Sequence, residues 1–121
     1  MYYGMSSDAL KKLYVEGSLK NEEDGFAFEL KNKIDSGSVS GIAAISVDGE
    51  ERSLDGVTIK LGDKVREASS LSWSNSLFVT YGKTLKIHVP GELEPGKHEI
   101  KLKVKAQEIG SLTLPIEDTV G

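Results

Sequence analysis

From Lys97 to Lys105 the chain alternates without a break. His98, Ile100, Leu102 and Val104 are apolar or aromatic, while Lys97, Glu99, Lys101, Lys103 and Lys105 are charged. Successive side chains of a β-strand point to opposite faces, so this spelling makes a ribbon with one dry face and one wet face. An upstream strand, Thr84 to Val89, places its apolar residues at odd positions, Leu85, Ile87 and Val89. A tight hairpin pairing Val89 with Lys97 would set each apolar side chain of one strand opposite a charge of the other. The parity therefore predicts that the connection crosses from one sheet to the facing sheet. A longer loop that shifts the pairing by an odd number is the alternative.

The connection itself supports the crossing. Leu93-x-Pro95-Gly96-x-His98 resembles the turn before the sixth strand of immunoglobulin-like and fibronectin type III sandwiches, where an aromatic ring follows the turn. Pro95, Gly96 and His98 are thus expected as a structural corner.

The rest of the chain, taken in order, supplies more short strands. Residues 1–12 are expected to be flexible or a short helical turn, since Ser6, Ser7 and Asp8 are capping residues ahead of helix formers but too few for a stable helix. Residues 13–121 are expected as one β domain. Leu13, Val15, Gly17 and Leu19 predict a first strand that pairs with Phe26, Phe28 and Leu30 across the polar turn at residues 21–25. Residues 32–41, rich in Ser and Gly, predict a loop before a strand at residues 42–47. Asp48-Gly49 and Asp55-Gly56 are turn signals. Val57, Ile59 and Leu61 alternate again, Gly62-Asp63 turns the chain, and residues 64–66 read as a stub of return strand. Residues 68–76 carry little periodicity around Leu71 and Trp73. Leu112, Leu114 and Ile116 form a last strand, which Pro115 confines to an edge or an end because it cannot donate to a ladder. Many short strands at regular spacing without a convincing helix predict an all-β fold, a single antiparallel β-sandwich of immunoglobulin or fibronectin III kind, with a jelly roll as the alternative.

Composition narrows the function classes. A chain of 121 residues buries roughly two-thirds of its extended surface and holds a core unaided. It has no cysteine, which excludes disulfides and thiolate chemistry and fits a cytoplasmic protein. No basic-then-apolar leader and no apolar run of about 18 residues occurs, so neither secretion nor membrane insertion is expected. The net charge of −4 with interspersed signs offers no basic stripe for nucleic acid.

Candidate chemistry is sparse. His88 falls on the wet parity and His98 on the dry parity of their strands, so a shared metal is not expected. His98 is read as a corner aromatic bonded to nearby backbone, and His88 as solvated. The acids cluster in turns, where solvation and local hydrogen bonding explain them, and no calcium-loop spacing, nucleophile elbow, phosphate loop or dinucleotide fingerprint is present. No catalytic, metal or cofactor residue is therefore assigned. Trp73, Phe78 and Tyr81 are the candidate contacts to a partner or ligand: Trp73, among Ser72, Ser74 and Asn75, could stack on a sugar or anchor an interface. The competing expectation is that a lone Trp fills the core of a small sandwich.

Across most of its length the chain resembles the C-glycoside deglycosidase β-subunit family. The resemblance rests on residues 15–21, Gly25-Phe-Ala-Phe28, residues 45–50, a central Trp73, residues 84–87, and residues 91–100 with the Leu-x-Pro-Gly-x-His corner, before the final strand to Asp118 and Thr119. It implies a non-catalytic accessory subunit, in the cytoplasm, of a carbon–carbon lyase complex in carbohydrate metabolism. The implied partner is a TIM-barrel subunit carrying a divalent metal that acts on a C-linked sugar, with no cofactor on this chain. A stand-alone carbohydrate-binding or protein-interaction module is the alternative reading, and a homo-oligomer through edge strands remains open.

Overall fold

The computed structural model describes residues 10–108 and 110–121. Ten strands and one 3-10 turn occur among the described residues: β1 (Lys20–Glu22), β2 (Gly25–Lys31), β3 (Gly37–Val47), β4 (Glu50–Arg52), β5 (Thr58–Leu61), β6 (Lys64–Glu67), the 3-10 turn (Ala68–Ser70), β7 (Leu77–Val79), β8 (Thr84–Pro90), β9 (Gly96–Ala106) and β10 (Gly110–Val120). They form two antiparallel sheets, β1-β2-β8-β5-β6 and β10-β9-β3-β4, with β7 also paired to β3. The fold is an all-β sandwich. Taken in chain order, β1-β2-β8-β5 follows the A-B-E-D order of an immunoglobulin sandwich, and β10-β9-β3-β4 follows its G-F-C-C′ order. The departure is the detour through β6 and β7, which carries the chain to the second sheet and back before β8.

Of the two connections the parity allowed, the crossing is the one found: β8 and β9 lie in different sheets. Ile87 then pairs with Phe28 on one side and Ile59 on the other. In the facing sheet Ile100 sits between Val47 and Ile116, and Leu102 between Ile45 and Leu114. All of these are buried, and their inner faces make one core in which Phe26 and Phe28 stack with centroids 6.3 Å apart. Burial of a side chain of this size contributes about 1.5–3 kcal/mol, so this double layer of paired apolar rows dominates stability. Pro115 lies in β10, an edge strand, where its missing N–H disrupts no inner ladder.

Several expectations are corrected. Residues 13–19 are not a strand. Leu13 and Tyr14 are consecutive and both buried, which no pleated ribbon with one dry face allows, and the chain turns at Gly17, whose φ is +81°. The segment instead lies along β2 through bonds from Lys31 N to Leu13 O and from Val15 N to Glu29 O. Residues 37–41 are strand rather than loop. β3 begins at Gly37 and is irregular between Val39 and Gly41 and between Ile42 and Ala44; such bulges break the alternation a sequence reader looks for. At Gly37 a Cβ would stand 2.8 Å from Glu108 Oε1, the oxygen that accepts the Ser38 N–H, so a larger residue there would shift the end of the Glu108 side chain. β10 continues past Glu117 to a buried Val120. Leu10 and Lys11 are helical, whereas the proposed cap at Ser6 to Asp8 lies outside the described residues.

Asp48 and Gly49 have φ of +52° and +86° and join β3 to β4 in two residues. Positive φ at both centres is the turn whose twist matches a hairpin.

Candidate functional site

The two ends of the sandwich differ in construction. At the crossing end, residues 90–96 pass from one sheet to the other, held by three side chains, Asn21, Arg52 and His98. Asn21 brackets Leu93, its amide donating to Leu93 O at 2.7 Å and its oxygen accepting Leu93 N at 2.9 Å. The Arg52 guanidinium donates to Pro90 O and Gly91 O at 3.2 and 3.4 Å, and lies 5.5 Å from the Phe26 ring centroid. Leu93 itself is buried. His98 completes the corner. Its Nε2 is 2.7 Å from Glu94 O and its Nδ1 is 2.7 Å from Asp48 Oδ2. Both ring nitrogens face acceptors, an arrangement satisfied in full only by the doubly protonated ring. The Glu94 carbonyl, then Asp48, accordingly hold the His98 pKa above the ordinary 6.5. The Glu99 amide, then His98, hold Asp48 below the ordinary 3.8. His98 thus occupies the position of a corner aromatic, with Pro95 just before β9 and Gly96 as its first residue. Its ring anchors the turn rather than facing a cleft. His88 is in the other sheet and is not fully solvated, for its Nε2 lies 3.0 Å from Glu22 O.

Between the two ends a polar staple joins the edges. Tyr14 donates its hydroxyl to Asp118 Oδ2 at 2.5 Å and accepts the Leu19 amide at 3.1 Å, while Gly17 N donates to the same carboxylate oxygen at 2.8 Å. Burial, then the bond to Asp118, push the Tyr14 phenol up to about 12. Burial raises the Asp118 carboxyl, but the bonds from Tyr14 and from the Thr119 and Gly17 amides outweigh it and leave the group below its ordinary value. Asp118 falls on the inward parity of Leu112, Leu114 and Ile116, a signal that it needed a partner.

The opposite end is open and carries the aromatics. Trp73 is 71% exposed, Tyr81 64% and Phe78 57%. The expectation of a buried core Trp is therefore corrected: the core is already filled by Phe26, Phe28 and the branched aliphatics of both sheets, and residue 73 sits on a tight turn outside it. That turn is held by reciprocal Ser72–Asn75 backbone bonds of 3.1 Å, by Asn75 Nδ2 on Ser70 O at 2.9 Å, and by Gln107 Nε2 on Trp73 O at 2.5 Å. Phe78 is the outward residue of β7, between buried Leu77 and Val79, and pairs with Ser38. Tyr81 follows β7, its amide on Ser36 Oγ at 2.9 Å. Ser38 O accepts the Gln107 amide at 2.9 Å, so all three rings stand on segments joined to the start of β3.

Those segments also border a cavity of about 230 Å³ between the sheets, lined chiefly by Leu30, Val39, Val79, Leu85, Val104 and Leu112. Asn32 organises its edge, donating to Asp35 O and Val79 O at 2.7 and 3.1 Å and accepting Ile34 N at 3.1 Å. Sequence reasoning missed both, since Leu85 and Val104 read as ordinary core and Asn32 as an ordinary loop residue. Among the described residues no group of three or more His, Asp or Glu converges as a metal would require, and none of the helices is long and apolar enough to cross a membrane.

Compared with known families, residues 9–121 match the model described as hydroxymethylglutaryl-CoA reductase, N-terminal domain. The chain belongs to that family. No curated protein matches it. Membership in the hydroxymethylglutaryl-CoA reductase N-terminal domain family overturns the resemblance to the C-glycoside deglycosidase β-subunit family. The physical reason is plain in the structure. Most of the pieces that carry that resemblance, β2, the β3–β4 turn, the start of β8, the crossing corner and the end of β10, are ones that sandwich geometry itself requires. They report the architecture and carry no family signature. The barrel partner and C-linked sugar are implied by that resemblance alone.

Proposed function

We propose that this chain is a non-catalytic accessory domain that binds a protein partner through Trp73, Phe78 and Tyr81. The observation that carries the reading is the exposure of these three rings at one end of the sandwich, on segments tied by hydrogen bonds to the start of β3. Aromatic residues are enriched in interfaces, and rings presented on ordered backbone lose little entropy when covered. The family's description names an N-terminal domain of a hydroxymethylglutaryl-CoA reductase. It favours a reductase catalytic unit as the partner, on the same polypeptide or another. The absence of cysteine is in keeping with a cytoplasmic setting.

A second reading is favoured by the surroundings of Trp73, where Ser70, Ser72, Ser74 and Asn75 frame an exposed indole. That is how a carbohydrate-binding surface presents a stacking platform.

Co-purification of the tagged chain from its native cells, with the size-exclusion mass of what is retained, separates these. A stoichiometric catalytic polypeptide retained by the wild type and lost from the Trp73→Ala/Phe78→Ala/Tyr81→Ala variant supports the accessory domain. A chain that elutes alone and binds a defined sugar by calorimetry supports the carbohydrate module. A complex made only of copies of the chain makes it a homo-oligomer and refutes both.

A further inference from the structure

The cavity at the open end lies where two unlike surfaces meet. Inside, its walls are aliphatic, and Val39, Leu85 and Val104 are left partly uncovered by the core around them. The two irregularities of β3, at Val39/Gly41 and Ile42/Ala44, fall in this half of its ladder with β9, and bulges of this kind bend a strand away from its regular path. Outside, Lys31 lines the cavity and also a shallow cleft shared with Lys11, Lys12 and Lys33, in which Glu16 is the one acid. Among the described residues none of these four lysines forms an ion pair. Four cations side by side on a chain of net charge −4 mark an anion-attracting spot. Asp35 and Glu108 also line the cavity and stay charged while accepting Ser36 N at 2.7 Å and Ser38 N at 2.9 Å. An anionic head group is therefore drawn to the Lys31 side of the rim, where the four lysines gather.

We propose that the open end of the sandwich binds one anionic amphiphile, an aliphatic carboxylate whose chain enters the cavity while its head group meets Lys31 and the neighbouring lysines. The size of the chain follows from the space. A dry cavity of about 150 Å³ takes a benzene ring, so one of about 230 Å³ has room for about nine carbons. Each methylene that leaves water strengthens binding about fourfold, which makes chain length the main determinant of affinity and the lysines the selector for charge. The cavity lies between the sheets and the aromatic rings face outward, so this proposal stands independently of partner docking. It is tested on the isolated chain.

Octanoate, titrated into the full chain and followed by calorimetry and amide NMR, is the direct probe. Saturable binding with Kd below about 1 mM is expected, with shifts at Val39, Val79, Leu85 and Val104, no measurable binding of butyrate, and octan-1-ol about tenfold weaker than octanoate. Lys31→Glu/Lys33→Glu, on exposed positions that leave the core untouched, is expected to weaken octanoate about tenfold and leave octan-1-ol unchanged. Val104→Phe, which fills the cavity, is expected to abolish both; if it does not fold, the lysine variant carries the test. The proposal is overturned by any of four results: no saturable octanoate binding, equal affinity for octanoate and octan-1-ol, indifference to the lysine reversal, or association with phosphatidylglycerol vesicles without binding of monomeric octanoate.

Discussion

The crossing end and the open end of this sandwich are made from the same kinds of strand, yet one is tied shut and the other is not. At the crossing end Asn21 of β1, Arg52 of β4, Asp48 of the β3–β4 turn and His98 of β9 all bond the few residues between β8 and β9 or their flanks. At the open end Asn32, Ser36 and Gln107 hold the loops, but their bonds run along the rim and leave apolar side chains bordering a cavity and aromatic rings in solvent. The first end shows how a sandwich resists opening. The second shows where surface remains for binding. Local opening follows the density of buried contacts, so the open end is expected to exchange its amides first.

Truncation of a buried leucine is the sharpest test of that contrast. Leu93 is buried inside a turn fixed on all sides, so the space left by Leu93→Ala cannot collapse and a loss of about 3 kcal/mol is expected in urea unfolding. Leu85 already borders open space, and Leu85→Ala is expected to lose less than half as much. Equal losses would mean that the two ends are equally packed. The next effect in size belongs to the staple between them. Tyr14→Phe leaves the ring against Phe28, whose centroid is 6.5 Å away, and removes both the bond to Asp118 and the acceptor of the Leu19 amide. A hydrogen bond to a charged group contributes about 1.5–3 kcal/mol. Tyr14→Phe, which also leaves the buried Leu19 amide unpaired, is expected to lose about 2.5 kcal/mol by the same measurement, and Asp118→Asn about 1.5 kcal/mol.

How much of this was legible in the sequence depended on whether the signal was periodic. The unbroken alternation of β9 and the opposite parity of β8 favoured different sheets over a shifted pairing, and Pro115 limited the last strand to an edge or an end; β8 and β9 do lie in different sheets, and β10 is at an edge. Single-residue geometry was not legible. Nothing in the letters says that Asn21 reaches 72 positions along the chain to Leu93, or that Arg52 lies over Phe26. The irregularities of β3 hid five residues of strand as a Ser-Gly loop. Of the site, Trp73, Phe78 and Tyr81 were singled out by residue type, but their gathering at one end depends on β7 leaving its neighbours to pair with β3. That detour has no sequence signature.

The His98 corner gives a pH signature that the open end lacks. His98 has a raised pKa in the fold, so its contribution is fully present below the ordinary histidine value of 6.5 and is lost as pH rises through the raised value. Asp48 is lowered, so its contribution is present above the ordinary 3.8 and is lost as pH falls through the lowered value. The pair therefore stabilises the crossing between those two limits. The destabilisation caused by Asp48→Asn is expected to be largest near pH 5 to 6 and to shrink above the raised His98 value, with an NMR titration of the His98 ring fixing where. A destabilisation that stays constant up to about pH 9 would show that the corner is held by the backbone bonds alone.

The smallest effect on stability is expected where the largest effect on binding is proposed. Trp73, Phe78 and Tyr81 each place most of their surface in solvent, so truncation creates no cavity and uncovers no buried partner. Trp73 is held through its backbone carbonyl by Gln107 and Tyr81 through its amide by Ser36, bonds that alanine keeps. Each single alanine variant is accordingly expected to change unfolding free energy by no more than about 0.5 kcal/mol. Partner retention is expected to fall most for Trp73→Ala, since a Trp anchor contributes about 2 kcal/mol or more where an interface covers it. Urea unfolding and quantitative pull-down on the same three proteins read both quantities. A ring whose loss costs several kcal/mol of stability belongs to the fold, and one that changes neither quantity is ordinary surface. Only a ring that leaves stability intact and weakens retention marks this end of the sandwich as the one that works.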